Sequence, residues 1–210
     1  MGVLQAEGPM NAVRHFIALF LLVAFPASMS MWFLIHPLAG FWRRRGPLIT
    51  YASVVAMAVV IGFLVYRFRE PLMRFEFGFS WVLTAGAILC YLGGGLLEWQ
   101  YRKHLTVATL LGLPEVSESR PSELLTEGIY SRIRHPRYIG LMCELSGTAL
   151  FVNYLAVYVL VLATVPVLYL TVRLEERELV ERFGEAYERY MAEVPRFLPR
   201  VRQPGRDSEV

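Results

Sequence analysis

The residues most able to do chemistry lie in two charged blocks separated by a long apolar stretch. The first is Gly128-Ile-Tyr130-Ser-Arg-Ile-Arg134-His135-Pro136-Arg137-Tyr138-Ile-Gly140, which sets three arginines, a histidine and two tyrosines at the mouth of an apolar segment. The second is Arg173-Leu-Glu175-Glu176-Arg177-Glu178. A basic and aromatic cluster opposed by a pair of carboxylates suits a small zwitterionic or cationic ligand, with a carboxylate against an ammonium or sulfonium centre. Each block also has a plain reading, because arginine and tyrosine anchor helices at headgroup level and a run such as 173–178 can be a solvated, salt-bridged helix start.

Between the blocks, only Glu144 and Asn153 strongly interrupt the apolar run from Tyr138 to Val172. An intramembrane carboxylate is costly enough to be a functional candidate, and Gly140 lies one helical turn before Glu144 on the same face. Glu144 is therefore expected either to face a polar cavity or to serve as a buried partner for an arginine.

The elements that must position these groups follow from composition. Hydrophobic residues make up 55% of the chain and mean hydropathy is +0.42, more apolar than a water-facing surface normally allows. Phe16–Ile35, Leu48–Tyr66 and Trp81–Leu97 each approach the roughly 20 residues that cross a bilayer as a helix. The first is too long for a secretory h-region of about 7–15 residues and is expected to be retained. Residues 138–172 exceed one straight span and predict a helical hairpin turning at Asn153, with a short first arm and with Pro166 kinking the second.

Arg173–Val194 carries Leu179, Val180, Phe183, Tyr187, Tyr190 and Val194 at helical spacing. It predicts an amphipathic helix ended by Pro195 and Pro199. The aromatic stripe Phe183, Tyr187 and Tyr190 is expected to pack and to close the site from the cytosol. The fold expected is thus an all-α integral membrane protein of about five transmembrane helices, including a C-terminal helical hairpin, followed by a cytosolic amphipathic helix. Its parts are residues 1–97 with three spans, the loop 98–137, the hairpin 138–172, the helix and tail 173–201, and a disordered end at 202–210.

Five crossings put Arg43–Arg45, the 98–137 loop and the C-terminal tail on one side. That side carries three, six and eight basic residues in those stretches, against Arg14, Arg67, Arg69 and Arg74 opposite. The positive-inside bias then predicts an outward N-terminus and a cytosolic C-terminus. The arginines beside apolar runs suit lipid headgroups, and the net charge of +3 gives no reason to expect nucleic acid. Cys90 and Cys143 fall in apolar segments and suggest neither disulfides nor a metal site.

In order along the chain stand Gly-x-Tyr-x-x-x-Arg-His-Pro-x-Tyr-x-Gly, Glu-Glu, Phe-Gly-x-x-Tyr-x-x-Tyr and Val-Pro-Arg-Phe-x-Pro. From Leu125 to Pro199 this series resembles the isoprenylcysteine carboxyl methyltransferase family and the related phospholipid N-methyltransferases. The resemblance implies methyl transfer from S-adenosyl-L-methionine, leaving S-adenosyl-L-homocysteine, to a lipophilic small molecule or lipid at the cytosolic face of a prokaryotic inner membrane. It implies that Tyr130, Arg134, His135, Pro136 and Tyr138 line the cofactor, that Gly140 permits close approach, and that Glu175 or Glu176 holds the amino group. Leu125 and Thr126 would contribute backbone groups, and Arg173 would orient the acceptor. Two other readings compete: an NADPH-dependent membrane sterol-type reductase, which shares an Arg-His-x-x-Tyr-x-Gly-like segment, and a non-catalytic membrane scaffold.

Overall fold

A computed structural model describes residues 8–35, 39–103 and 124–199 of the chain. Its helices are α1 (Pro9–Ile35), α2 (Ala39–Arg45), α3 (Pro47–Arg67), α4 (Arg69–Leu72), α5 (Trp81–Arg102), α6 (Pro136–Val152), α7 (Leu155–Phe183) and α8 (Glu185–Glu193). A 3₁₀ turn over Gly128–Ser131 precedes α6. No strand occurs among the described residues, where a single isolated bridge joins Glu76 to Tyr154.

Among the described residues four helices, α1, α3, α5 and α7, are long and apolar enough to cross a membrane. Their outward faces are greasy, as lipid requires: Phe63 on α3 is 65% exposed and Leu92 on α5 is also 65% exposed. On α5, Trp81 and Trp99 are both exposed. At 1.5 Å per residue they stand about 27 Å apart, close to the hydrocarbon thickness that interfacial tryptophans bracket.

α6, at 17 residues, is the short arm of the expected hairpin. It nevertheless runs antiparallel along α5, because three glycines let the two backbones approach. A Cβ on Gly94 would lie 3.2 Å from the Gly140 carbonyl oxygen, and one on Gly147 would lie 3.1 Å from that of Ala87. On another side of α6, Leu145, Ala149 and Val152 form the core with Ala18, Leu22 and Phe25 of α1, with Tyr154 just before α7, and with Val157 and Val161 of α7.

Asn153 makes the hairpin turn in the left-handed region at φ 56°. Its amide donates to the Gly78 carbonyl at 2.8 Å and its side-chain oxygen accepts from Tyr158 at 3.0 Å. Arg14, fully buried on α1, secures the same corner by donating to the Val152 carbonyl at 2.7 Å and pairing with Glu76 at 2.9 Å. The end of α6 that precedes this corner is thereby fixed to the segment leading into α5.

Two boundaries differ from the sequence expectation. α7 does not stop at Val172 but continues through Pro166 and on to Phe183 as one 29-residue helix, so its apolar part and its charged end, from Arg173, belong to one continuous helix. The predicted amphipathic helix over 173–194 is divided at Gly184, where φ is 55°. A glycine there can adopt the positive φ that ends a helix, and α8 starts after it as a separate helix. The segment Arg202–Val210 lies outside the described residues.

Candidate functional site

Pro136 opens α6 at its first turn, where a missing N–H costs nothing, and this directs the preceding residues Arg134 and His135 towards the end of α7. The last segment of the described chain lies over them: Arg134 N–H donates to the Pro195 carbonyl at 3.0 Å and His135 N–H to the Arg196 carbonyl at 3.1 Å. The loop before α6, the charged end of α7 and the 194–197 strap therefore meet at one place.

Glu176 is the hub of that meeting. Its side chain is 6% exposed and its Oε1 accepts from Arg134 Nε at 3.1 Å and Nη2 at 2.7 Å. His135 Nε2 stands 3.1 Å from the same oxygen. Arg196 completes the set through Nε, at 3.1 Å from each carboxylate oxygen, and through a further contact from Nη2 to Oε2. Glu176 lies past the apolar part of α7; burial alone would raise its carboxyl pKa, but hydrogen bonds from His135, Arg196 and Arg134 hold it well below the usual range. In return, Glu176 pushes the Arg196 guanidinium further up, with burial opposing.

Arg134 also donates through Nη1 to the Met191 and Val194 carbonyls, each at 2.7 Å. These are backbone acceptors at the C-terminal end of α8, where a cation is favoured. One guanidinium thus joins α7, α8 and the loop before α6.

Glu175, the other acid, is placed differently. Its side chain is 30% exposed, and Oε2 accepts from the Tyr138 hydroxyl at 2.9 Å while His135 Nδ1 lies 3.8 Å away. Among the described residues its Oε1 has no partner. The aromatic groups around it stay in their neutral form. Burial, reinforced by Glu175, pushes the Tyr130 phenol far up, and burial with Glu176 does the same to Tyr187. Burial pushes Tyr190 up to about 12 against the pull of Arg134, and its hydroxyl donates to the Tyr130 carbonyl at 2.6 Å.

An apolar cavity of about 240 Å³ adjoins this polar cluster, lined by Tyr138, Ile139 and Met142 of α6, Val165, Leu168 and Tyr169 of α7, and Phe197. Tyr138 belongs to both spaces, with its hydroxyl on Glu175 and its ring in the cavity wall. Arg173 is exposed near the cavity and shares the Tyr169 hydroxyl with Arg196.

The structure therefore brings Arg134, His135, Pro136, Tyr138, Glu175 and Glu176 together, with Tyr130 within the electrostatic reach of Glu175. Leu125 and Thr126 are in a segment without regular secondary structure just before the 3₁₀ turn, with Thr126 exposed. Gly140 and Glu144 are turned the other way. Gly140 packs against Gly94, Leu97 and Tyr101, and Glu144 Cγ would meet a Cβ on Gly94 at 3.2 Å. Both belong to the α5 contact, across α6 from the cavity.

The sequence reading assigned no role to Arg196 or to the cavity wall. Arg196 stands in Val194-Pro195-Arg196-Phe197, a motif whose proline and aromatic flanks were a signal of a fixed strap. Ile139, Met142 and Leu168 carried no signal, since a cavity-lining residue in an apolar helix has the same side chain as a lipid-facing one.

Comparison with known proteins places the chain among methyltransferases. Residues 81–186, half of the chain, match the phospholipid methyltransferase family, a stretch that runs from α5 through α7. Over 79 residues the chain is 33% identical to a protein-S-isoprenylcysteine O-methyltransferase of Schizosaccharomyces pombe, covering 37% of this chain and 34% of that protein. Over 87 residues it is 36% identical to a methanethiol S-methyltransferase of Crocosphaera subtropica, covering 40% and 32%. A methanethiol S-methyltransferase of Pseudomonas deceptionensis is 36% identical over 80 residues, covering 37% and 29%. The matched part spans about a third of the length of these curated relatives. No solved structure matches the chain.

Proposed function

Since this chain belongs to the phospholipid methyltransferase family, we propose that it is an enzyme of the membrane that transfers a methyl group from S-adenosyl-L-methionine to a lipophilic acceptor. The observation that carries the proposal is the double position of Tyr138, which touches the polar cluster through Glu175 and walls the apolar cavity with its ring. Donor and acceptor would meet at that boundary.

The donor set fits the cofactor. Among the described residues Glu175 has a carboxylate oxygen with no partner at a partly open site, which suits an ammonium group, and the rings of Tyr130, His135 and Tyr138 offer faces to a sulfonium or a purine. Bound there, S-adenosyl-L-methionine would supply an electrophilic methyl carbon on positively charged sulfur. Glu175 binds the amino-acid end, while Glu176, saturated by Arg134, His135 and Arg196, fixes the walls. Backbone groups of Leu125 and Thr126 close the site on the side of the 3₁₀ turn. Phe197 and the apolar lining exclude water, so alignment supplies most of the rate enhancement.

An acceptor already nucleophilic at neutral pH, a carboxylate or a thiolate, agrees best with these surroundings. Glu144, the carboxylate within α6, faces α5 and is badly placed to take a proton from an amine in the cavity. Arg173 is the group that would orient an anionic acceptor at the cavity rim. The basic residues flanking the spans favour a cytosolic site and an outward N-terminus in a prokaryotic inner membrane.

The test is transfer of label. Purified protein incubated with methyl-labelled S-adenosyl-L-methionine and a bacterial membrane extract is expected to release S-adenosyl-L-homocysteine and to place label in the apolar fraction. Failure of transfer, together with thermal stabilisation by NADPH and not by S-adenosyl-L-homocysteine, would overturn the proposal.

A further inference from the structure

Two consecutive residues of the strap reach two different environments. Arg196 donates to Glu176 at the polar hub, and Phe197 forms part of the apolar cavity wall with its ring 6.2 Å from that of His135. Arg196 also lies over the ring of Tyr169, a second wall residue, at 5.4 Å from its centroid. The strap is held by two main-chain hydrogen bonds from Arg134 and His135, by the Arg134 side chain, by the packing of Val194 on Tyr187 and Tyr190 and of Phe197 on Tyr138, Leu168 and Val172, and by the Arg196 ion pair. The strap residues themselves lie beyond residue 186, where the family match ends.

We infer that Arg196 is a positioning residue that couples the two spaces: by gripping Glu176 it holds Phe197 and Tyr169 in place and so keeps that wall of the acceptor cavity assembled. The inference rests on the methyltransferase reading only in naming that cavity the acceptor space; the mechanical link stands on the geometry alone. Glu176 is 6% exposed and surrounded by donors, so its position is fixed from the α7 side. Arg196, at 27% exposed, is the outer and more easily released member of the pair. Loss of its guanidinium leaves Phe197 held by its side-chain packing and by the backbone bonds of its neighbours, without the ion pair that fixes the strap to Glu176. A lysine, with a single compact ammonium, can keep the charge contact with Glu176 but not the bonds to both oxygens together with the face-on contact to Tyr169. The three residue types at position 196 therefore form a graded series.

The experiment uses the full chain in detergent, with Cys90→Ala and Cys143→Ala as background and a single cysteine introduced by Ile139→Cys in the cavity wall. N-ethylmaleimide reports how open the cavity is, and Leu162→Cys on the exposed face of α7 serves as the reference site. Arg196→Met is expected to raise the labelling rate at position 139 about tenfold and to leave position 162 within twofold, with Arg196→Lys between the two. Equal labelling at 139 in all three proteins would overturn the inference, as would a parallel rise at 162, which marks general loosening. If Arg196→Met does not fold, the Arg196→Lys comparison decides alone: at least a threefold rise at 139 supports the coupling and an unchanged rate overturns it. S-adenosyl-L-homocysteine is added in a separate arm. If it fails to stabilise any variant while labelling still follows residue 196, the functional reading falls and the coupling stands.

Discussion

Arg134 meets Glu176 across 42 residues of chain through two hydrogen bonds, at 3.1 and 2.7 Å, with both side chains almost wholly buried. This pair converts a helical hairpin, whose ends would otherwise diverge into the headgroup region, into a closed cluster with the strap laid over it. The consequences are distinct for each residue around it.

Glu176→Gln should act on stability as well as on the site. The substitution removes the charge that three donors share, leaving Arg134 and Arg196 without their counter-ion; breaking a buried pair in this way costs about 3 kcal/mol. Thermal unfolding in detergent should show a clear fall in Tm, and retention of the wild-type Tm would show that the hub carries no structural role.

Tyr138→Phe separates binding from folding. The ring stays in the cavity wall and only the bond to Glu175 is lost, so the expected cost in stability is about 1 kcal/mol. Affinity for S-adenosyl-L-homocysteine should fall several-fold, because Glu175 is then free to swing away. An unaltered affinity measured by calorimetry would exclude the Tyr138–Glu175 bond from the site.

Two glycines, one inside the α5–α6 contact and one outside it, should give opposite outcomes. Gly147→Leu forces a side chain against the Ala87 carbonyl and should destabilise by about 1–3 kcal/mol. Gly93→Ala meets nothing within 4 Å and removes a flexible residue from a helix interior, so it should stabilise by about 0.5–1 kcal/mol. Equal effects in thermal unfolding would contradict the close approach of these helices.

Arg14→Met tests the opposite end of the bundle. The Val152 carbonyl and Glu76 lose their donor at the hairpin corner, about 25 Å along α6 from Pro136. Stability should drop by about 2 kcal/mol while affinity for S-adenosyl-L-homocysteine in the folded protein is unchanged. A matching loss of affinity would mean that the two ends are coupled.

How much of this was legible in the sequence depends on what each signal measures. Runs of apolar residues report lipid contact directly, so the spans and the turn at Asn153 were readable, and the return of both hairpin ends to one face followed from them. Periodicity placed Gly140 and Glu144 on a common face but says nothing of which neighbour that face meets, and α5 occupies it. Glu175 and Glu176 are adjacent letters about 100° apart around a helix, so their division into an open acid and a saturated hub needed the positions of Arg134 and Arg196. The amphipathic spacing of 173–194 concealed the break at Gly184, because Tyr187 and Tyr190 pack towards Leu179 and Phe183 on either side of it.

The central claim is tested most directly by the affinity of purified protein for S-adenosyl-L-homocysteine, measured by calorimetry for the wild type and for Glu175→Gln. The wild type should bind saturably, and Glu175→Gln, with an unchanged fold, should bind at least tenfold more weakly, about 1.4 kcal/mol. Binding that is absent from the wild type, or equal in the two proteins, would contradict the placement of the cofactor at the junction of α6 and α7.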